Sequence, residues 1–122
     1  MYTTATDFTS EVWRRVDSKD AASFAELFAP EGKLVFANGA PMVGPEEIRA
    51  GVEGFFKTIK ALRHTVINEW TTEDDSIIEL NVHYDRLDGG QADIPVVTIW
   101  TRNSNGQFTN YRVFFDLTPV FA

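Results

Sequence analysis

The chain contains no cysteine, which excludes a disulfide framework and any thiolate metal site. It is poor in positive charge, with 11 Lys and Arg against 18 Asp and Glu and a net charge of −7. Nucleic-acid binding needs a surplus of cations to displace counterions from phosphates, so nucleic acid is not expected as a partner. Anionic membrane surfaces are disfavoured for the same reason. No apolar run approaches the roughly 20 residues that a membrane span needs. The polar start Met1-Tyr2-Thr3-Thr4-Ala5-Thr6-Asp7 lacks the pattern of a signal peptide, and a soluble, cytoplasmic protein is expected. Histidine is scarce too, with only His64 and His83. His83 and Asp85 lie two apart on one strand face, and two ligands on a solvent face are too few for a metal. Neither a metal nor a cofactor is expected.

What the chain does have is phenylalanine. Ten Phe among 122 residues is high for a chain of this size. Phe offers no hydrogen bond, so these rings must line a core, an apolar pocket or a subunit contact. An apolar share of 43% fits one globular domain over residues 1–122. No linker, repeat or low-complexity segment divides it.

Three helices are predicted first. Thr6 or Asp7 can cap the first, and Phe8, Val12 and Val16 then form a stripe flanked by Trp13 and Arg15. Asp17-Ser18-Lys19-Asp20 interrupts it, and Asp20 caps a second helix whose Phe24, Leu27 and Phe28 share a face. Ala29-Pro30-Glu31-Gly32 stops that helix, since Pro30 disfavours helix at Ala29. Lys33 to Asn38 reads as a short strand closed by Asn38-Gly39-Ala40-Pro41. Gly44-Pro45-Glu46-Glu47 opens a third helix, with proline at its first position and two acids on the positive end of its dipole. Ile48, Val52, Phe55, Phe56 and Ile59 form its stripe, and Gly51 and Gly54 are expected to permit close approach to a sheet.

From Arg63 the period changes to two. Strands are predicted over about 62–71, 76–87, 92–102 and 107–119, with Asp88-Gly89-Gly90 and Asn103-Ser104-Asn105-Gly106 as turns. Parity assigns the faces. Ile78, Leu80, Val82 and Tyr84 point one way, and Glu79, Asn81, His83 and Asp85 the other. His64 shares the inward face with Leu62 and Val66. Ile94 to Trp100 is apolar on both faces and is expected to be covered on both. Arg112 and Asp116 are placed on one strand face as a salt bridge, and Phe114 stands among polar neighbours on the outside. The expectation is an α+β fold, with a curved antiparallel sheet wrapped around three N-terminal helices. Such a cone leaves a cavity, and its outer sheet face is most cheaply covered by a second copy as a homodimer.

This order of elements resembles the nuclear-transport-factor-2-like, or cystatin-like, superfamily. Phe24-Ala25-Glu26-Leu27-Phe28-Ala29-Pro30-Glu31-Gly32 resembles its helix-to-strand junction, and Gly44-Pro45-Glu46-Glu47-Ile48-Arg49 its third-helix start. Tyr111-Arg112-Val113-Phe114-Phe115-Asp116-Leu117 is similar to its final strand. The nearest branch is the SnoaL-like polyketide cyclases and dehydratases. The fold hosts several chemistries and binding modules, so it does not by itself specify one. Ketosteroid isomerases carry a Tyr and two acids at places matching Val12, Phe36 and Thr98. Limonene-epoxide hydrolases have a catalytic Asp where this chain has Val113. Scytalone dehydratase resembles the chain more closely, at Val16-Asp17-Ser18-Lys19-Asp20 and at His64, although its Tyr before the Asp is Val16 here and its second His has no counterpart.

The resemblance carries Asp17 and His64 over as candidate catalytic residues. Trp13, Phe36, Trp100, Tyr111 and Phe115 are candidates to line the pocket, with Val12, Val66, Thr98 and Val113. A carboxylate that orients an imidazole gives a general base near neutral pH, suited to dehydration, isomerisation or cyclisation of a small hydrophobic molecule. The alternative is structural, with Asp17 closing the helical hairpin and His64 bonding a backbone carbonyl in a non-catalytic binding or dimerisation module.

Overall fold

A computed structural model describes residues 6–121; Met1 to Ala5 of the polar start lie outside the described residues. The elements are α1 (Asp7–Asp17), α2 (Ala21–Ala25), β1 (Phe28–Phe36), β2 (Met42–Val43) and α3 (Pro45–Phe56). They are followed by β3 (Ile59–Thr71), β4 (Asp75–Arg86), β5 (Gln91–Arg102), β6 (Phe108–Phe114) and α4 (Thr118–Phe121).

α1 starts where Thr6 accepts the Thr9 N–H, and Glu69 of β3 ties down the same turn. Glu69 accepts the Thr6 N–H at 3.0 Å and the buried Thr9 hydroxyl at 2.6 Å. The helix buries Thr9, Val12, Trp13 and Val16. At its far end Lys19 adopts a left-handed φ of 58°. Its Nζ donates to the carbonyls of Ile59 at 3.0 Å and Lys60 at 3.2 Å, which fastens the α1–α2 turn to the start of β3. Asp20 then caps α2 by accepting the Ser23 N–H.

Several predicted boundaries move, and at α2 and β1 strand pairing overrides local pattern. α2 ends at Ala25, so Leu27 and Phe28 do not extend its face. The Phe108 N–H donates to the Leu27 carbonyl at 2.9 Å, and β1 runs from Phe28 rather than Lys33. β2 forms at Met42–Val43, between the expected turn and the third helix, antiparallel to β1. α3 stops at Phe56, and Ile59 is the first residue of β3. Gly51 does allow close approach, since a Cβ there would collide with the Met42 sulfur, whereas Gly54 faces open space. β6 ends at Phe114 instead of reaching Pro119, and α4 follows. Asp116 lies beyond the strand and accepts from the Thr118 N–H at 2.9 Å and hydroxyl at 2.6 Å. The expected Arg112–Asp116 salt bridge is not formed; the Arg112 guanidinium sits 5.7 Å from the Phe114 ring centre.

The six strands form one sheet in the order β2-β1-β6-β5-β4-β3. Every neighbouring pair is antiparallel except β1 and β6, which run parallel, so the sheet is not purely antiparallel as predicted. Irregularities in the β1–β6, β3–β4 and β5–β6 pairings bend it, and it stays open, with β2 and β3 at its edges. The helices pack on the inner face. Ile78, Leu80, Val82, Ile94, Val96 and Trp100 meet Val12, Ile48 and Val52 in one core. Each such aliphatic side chain, fully buried, contributes roughly 1.5–3 kcal/mol. The outer face of β5 is not covered within this chain: Pro95 is exposed, and Val97 and Ile99 are half-buried. Trp70, Ile77 and Phe114, on the same outer face, are 54%, 41% and 46% exposed.

Candidate functional site

Asp17 and His64 meet. Asp17 is the last residue of α1, and His64 lies on β3 beside Val82 of β4. One carboxylate oxygen of Asp17 is 2.6 Å from His64 Nδ1, and the other accepts the His64 backbone N–H at 3.0 Å. A carboxylate can only accept, so Nδ1 carries a proton, and in the neutral ring Nε2 is left as a lone-pair base. Trp13, one turn before Asp17 on the same helix face, stacks on the imidazole at 4.3 Å between centroids and 5° between planes. The ring is thus fixed on one edge by charge and on one face by an aromatic. The side chains are 9% exposed for His64 and 24% for Asp17, so water reaches the carboxylate more readily than the base.

His64 lines a cavity of about 50 Å³. Of the residues assigned to a pocket from sequence, Trp13, Phe36, Thr98, Tyr111, Val113 and Phe115 line it. Val12, Val66 and Trp100 do not. Val12 and Trp100 are core, 0% and 1% exposed, and Val66 packs against that core. Sequence reading missed the contributions of Phe24, Val52, Phe55, Phe56 and Tyr84. The inward parity of Tyr84 was readable, but that Phe55 and Phe56 at the end of α3 line the cavity was not. There Phe36 packs against Phe55 at 5.8 Å and Phe115 at 5.9 Å, and Phe55 meets Tyr84 edge-on at 6.3 Å.

The polar atoms of the lining are few. Burial pushes the Tyr84 phenol above its ordinary pKa, with the Asp17 carboxylate adding to the effect. Burial alone pushes Tyr111 up. Both remain neutral O–H donors at physiological pH. His83 lies on the opposite face of β4, as parity placed it. Its Nδ1 is 3.0 Å from Asp93 and its Nε2 3.1 Å from Asp85, so it is an imidazole held between two acids and not part of the cavity. Among the described residues no cluster of three or more His, Asp or Glu has the arrangement of a metal site.

The fold and site define a class: an α+β cone with an oriented histidine facing an aromatic-lined cavity. The SnoaL-like domain profile matches residues 10–111. The chain belongs to the SnoaL-like domain family. No curated protein matches it significantly. Among solved structures, a hypothetical protein of ketosteroid isomerase-like fold from Catenulispora acidiphila, in complex with trimethylamine, is 19% identical. The alignment covers 96% of this chain and 91% of that one, with a TM-score of 0.86. A putative SnoaL-like polyketide cyclase from Jannaschia sp. CCS1 is 20% identical over 98% and 94% of the two chains, TM-score 0.75. SalBIII, an epoxide hydrolase/cyclase-like enzyme of pyran ring formation in the polyether salinomycin, is 14% identical over 92% and 90%, TM-score 0.78. At these identities the likeness concerns the fold. No helix among the described residues is long and apolar enough to cross a membrane.

Proposed function

We propose that this protein is a cofactor-independent acid/base catalyst of the dehydratase, isomerase or cyclase type, acting on a small hydrophobic cyclic or polyketide-like molecule. The observation that carries the reading is the 2.6 Å contact between Asp17 and His64 Nδ1, which leaves Nε2 as the base at the cavity. Nε2 takes a proton from carbon next to a substrate carbonyl, and the electron pair moves into the carbonyl as an enolate. The imidazolium so formed is stabilised by Asp17. It then returns the proton to another carbon, which is isomerisation, or to a departing β-hydroxyl that leaves as water, which is dehydration. Attack of the enolate carbon on a second carbonyl of the same molecule closes a ring, with the proton returned to the new alkoxide.

The working unit in this reading is a homodimer joined through the outer sheet face, where Trp70, Ile77, Val97, Ile99 and Phe114 are left without cover by their own chain. Contiguous exposed apolar surface of this kind marks association sites. The lack of cysteine suits a cytoplasmic location, where disulfides are rare.

One observation favours a second reading, a non-catalytic ligand-binding or dimerisation module. The cavity of about 50 Å³ is well below the ~300 Å³ at which ligand pockets usually begin, so a ring-sized substrate requires Phe36, Phe55 and Phe115 to yield. Deuterium exchange separates the two readings. Cyclic ketones such as 2-tetralone are incubated with the protein in D2O and followed by NMR. The enzyme reading expects α-carbon exchange that His64→Gln removes. Exchange no faster than in His64→Gln sinks it in favour of the binding module.

A further inference from the structure

A second cavity, of about 330 Å³, lies between the β3–β4 turn and the β5–β6 turn. It shares no lining residue with the cavity at His64, and it reaches the ~300 Å³ at which ligand pockets usually begin. Its walls are polar, with Glu73 and Asp74 on one turn and Arg102 and Ser104 on the other. The Arg102 backbone N–H donates to the Asp74 carbonyl at 2.9 Å, which ties the two turns together and sets their charges around one space.

Arg102 is held as a fixed fork. Its guanidinium lies over the Phe8 ring, 3.6 Å from the centroid, and its Nε donates to the Gly106 carbonyl at 3.0 Å. Phe8 in turn packs edge-on against Trp100 and Phe108, which holds the platform in place. Gly106 admits the guanidinium, since its φ is 78° and a Cβ there would stand 3.0 Å from Arg102 Nη2. Among the described residues this half-buried cation nevertheless has no carboxylate within ion-pair distance. The hydrogen bond from Nε is the one its side chain makes there, so both Nη groups are left over. Glu73 and Asp74, exposed on the facing wall, pair with no cation either. A cation partly withdrawn from water without a counter-ion is unfavourable. Opposite charges that share one cleft without meeting match a ligand that carries both signs.

We infer that this cleft binds a small zwitterion of the amino-acid type. The ligand carboxylate takes paired hydrogen bonds from the two Nη groups of Arg102, the geometry a guanidinium fork provides, and the ligand ammonium lies against Glu73 and Asp74. A plain carboxylate meets Arg102 but is repelled by the two acids, and a plain amine leaves Arg102 unpaired. The site is separate from the Asp17–His64 pair and does not depend on what that pair does.

The test is titration of glycine and 4-aminobutyrate, a short and a longer zwitterion, against acetate and methylammonium, followed by ¹H–¹⁵N NMR. At least one zwitterion is expected to bind about tenfold more tightly than either single-charge probe, the scale of one added charge-assisted hydrogen bond. Its shifts are expected in the two turns, and His64→Gln leaves its affinity unchanged. Arg102→Gln removes the binding, and the Glu73→Gln/Asp74→Asn double variant lowers it to the level of acetate. If Arg102→Gln does not fold for want of its contact with Phe8, the double variant carries the test, because both acids are exposed. Acetate binding as tightly as the zwitterions, binding that survives loss of the two acids, shifts outside the two turns, or no binding of either zwitterion overturns the inference.

Discussion

Asp17→Asn is expected to reverse the tautomer of His64. The carboxylate now accepts two hydrogen bonds, from His64 Nδ1 at 2.6 Å and from the His64 backbone N–H at 3.0 Å. An asparagine of the same shape has one acceptor and one donor end. The backbone N–H can only donate, so the amide oxygen must face it, which turns the NH2 group toward Nδ1. Nδ1 then becomes the acceptor and the ring proton moves to Nε2, the atom that serves as the base. A general base locked in the wrong tautomer costs about 10³–10⁴ in rate, by analogy with the carboxylate-to-amide change in a serine-protease triad. Stability falls less. Two charge-assisted bonds become neutral ones at a site that is part-exposed, a loss of about 1–2 kcal/mol, or roughly 3–8 °C in melting temperature for a domain of this size. Imidazole ¹⁵N shifts and couplings report the tautomer, and the deuterium-exchange assay reports the rate. An unchanged Nδ1–H tautomer, or exchange within about threefold of wild type, refutes the reasoning. Because the tautomer is read without substrate, the geometric argument is testable even for a protein that turns nothing over.

Four further expectations concern the scaffold. Gly32→Ala places a Cβ 2.5 Å from the Phe108 carbonyl oxygen and 3.1 Å from that of Ala29; neither backbone can step aside, so a loss of about 2–4 kcal/mol is expected in urea unfolding. Gly54→Ala, with nothing within 4 Å of its Cβ, is expected to be neutral or to gain up to about 1 kcal/mol. Hydrogen bonds to Asp93 and then Asp85 raise the pKa of His83 above its ordinary 6.5. A raised folded-state pKa means the contribution is complete below about 6.5 and fades as pH rises through the folded value. His83→Gln is therefore expected to lower stability at pH ~5.5 and to match wild type at pH ~8.5, and equal loss at both values would show that the imidazolium contributes nothing. Sedimentation equilibrium is expected to report a dimer that Ile99→Glu converts to monomer, and a monomeric wild type would refute the proposed role of the outer face.

Sequence by itself determined the parts of this protein whose signal is local. Thr6, Asp20 and Gly44-Pro45 start their helices because capping and a preset φ act within one turn. Alternation sent Leu62, His64, Val82 and Tyr84 inward and His83 outward, because a strand has only two faces. From these the α+β order and the inward face of His64 were readable, while Asp17 and His64 as a pair were implied by the family resemblance. Tertiary structure decided what depends on partners distant in the chain. Phe28 joins β1 because Phe108 meets Leu27, eighty residues along, and no helical pattern near Pro30 carries that information. Val12 and Trp100 satisfy every local criterion for a pocket wall, yet they are covered by neighbours from other elements. Phe55 and Tyr84 become pocket walls because Phe55, at the end of α3, meets the Tyr84 ring of β4 edge-on. The Asp17–His64 pair lies between these extremes. The family resemblance supplied the two residues, while the Lys19 ammonium on the carbonyls of Ile59 and Lys60 and the Trp13 ring on the imidazole hold them in contact. An imidazole 2.6 Å from a carboxylate is a base only when its ring cannot turn, and the packing of α1 on β3 supplies that constraint.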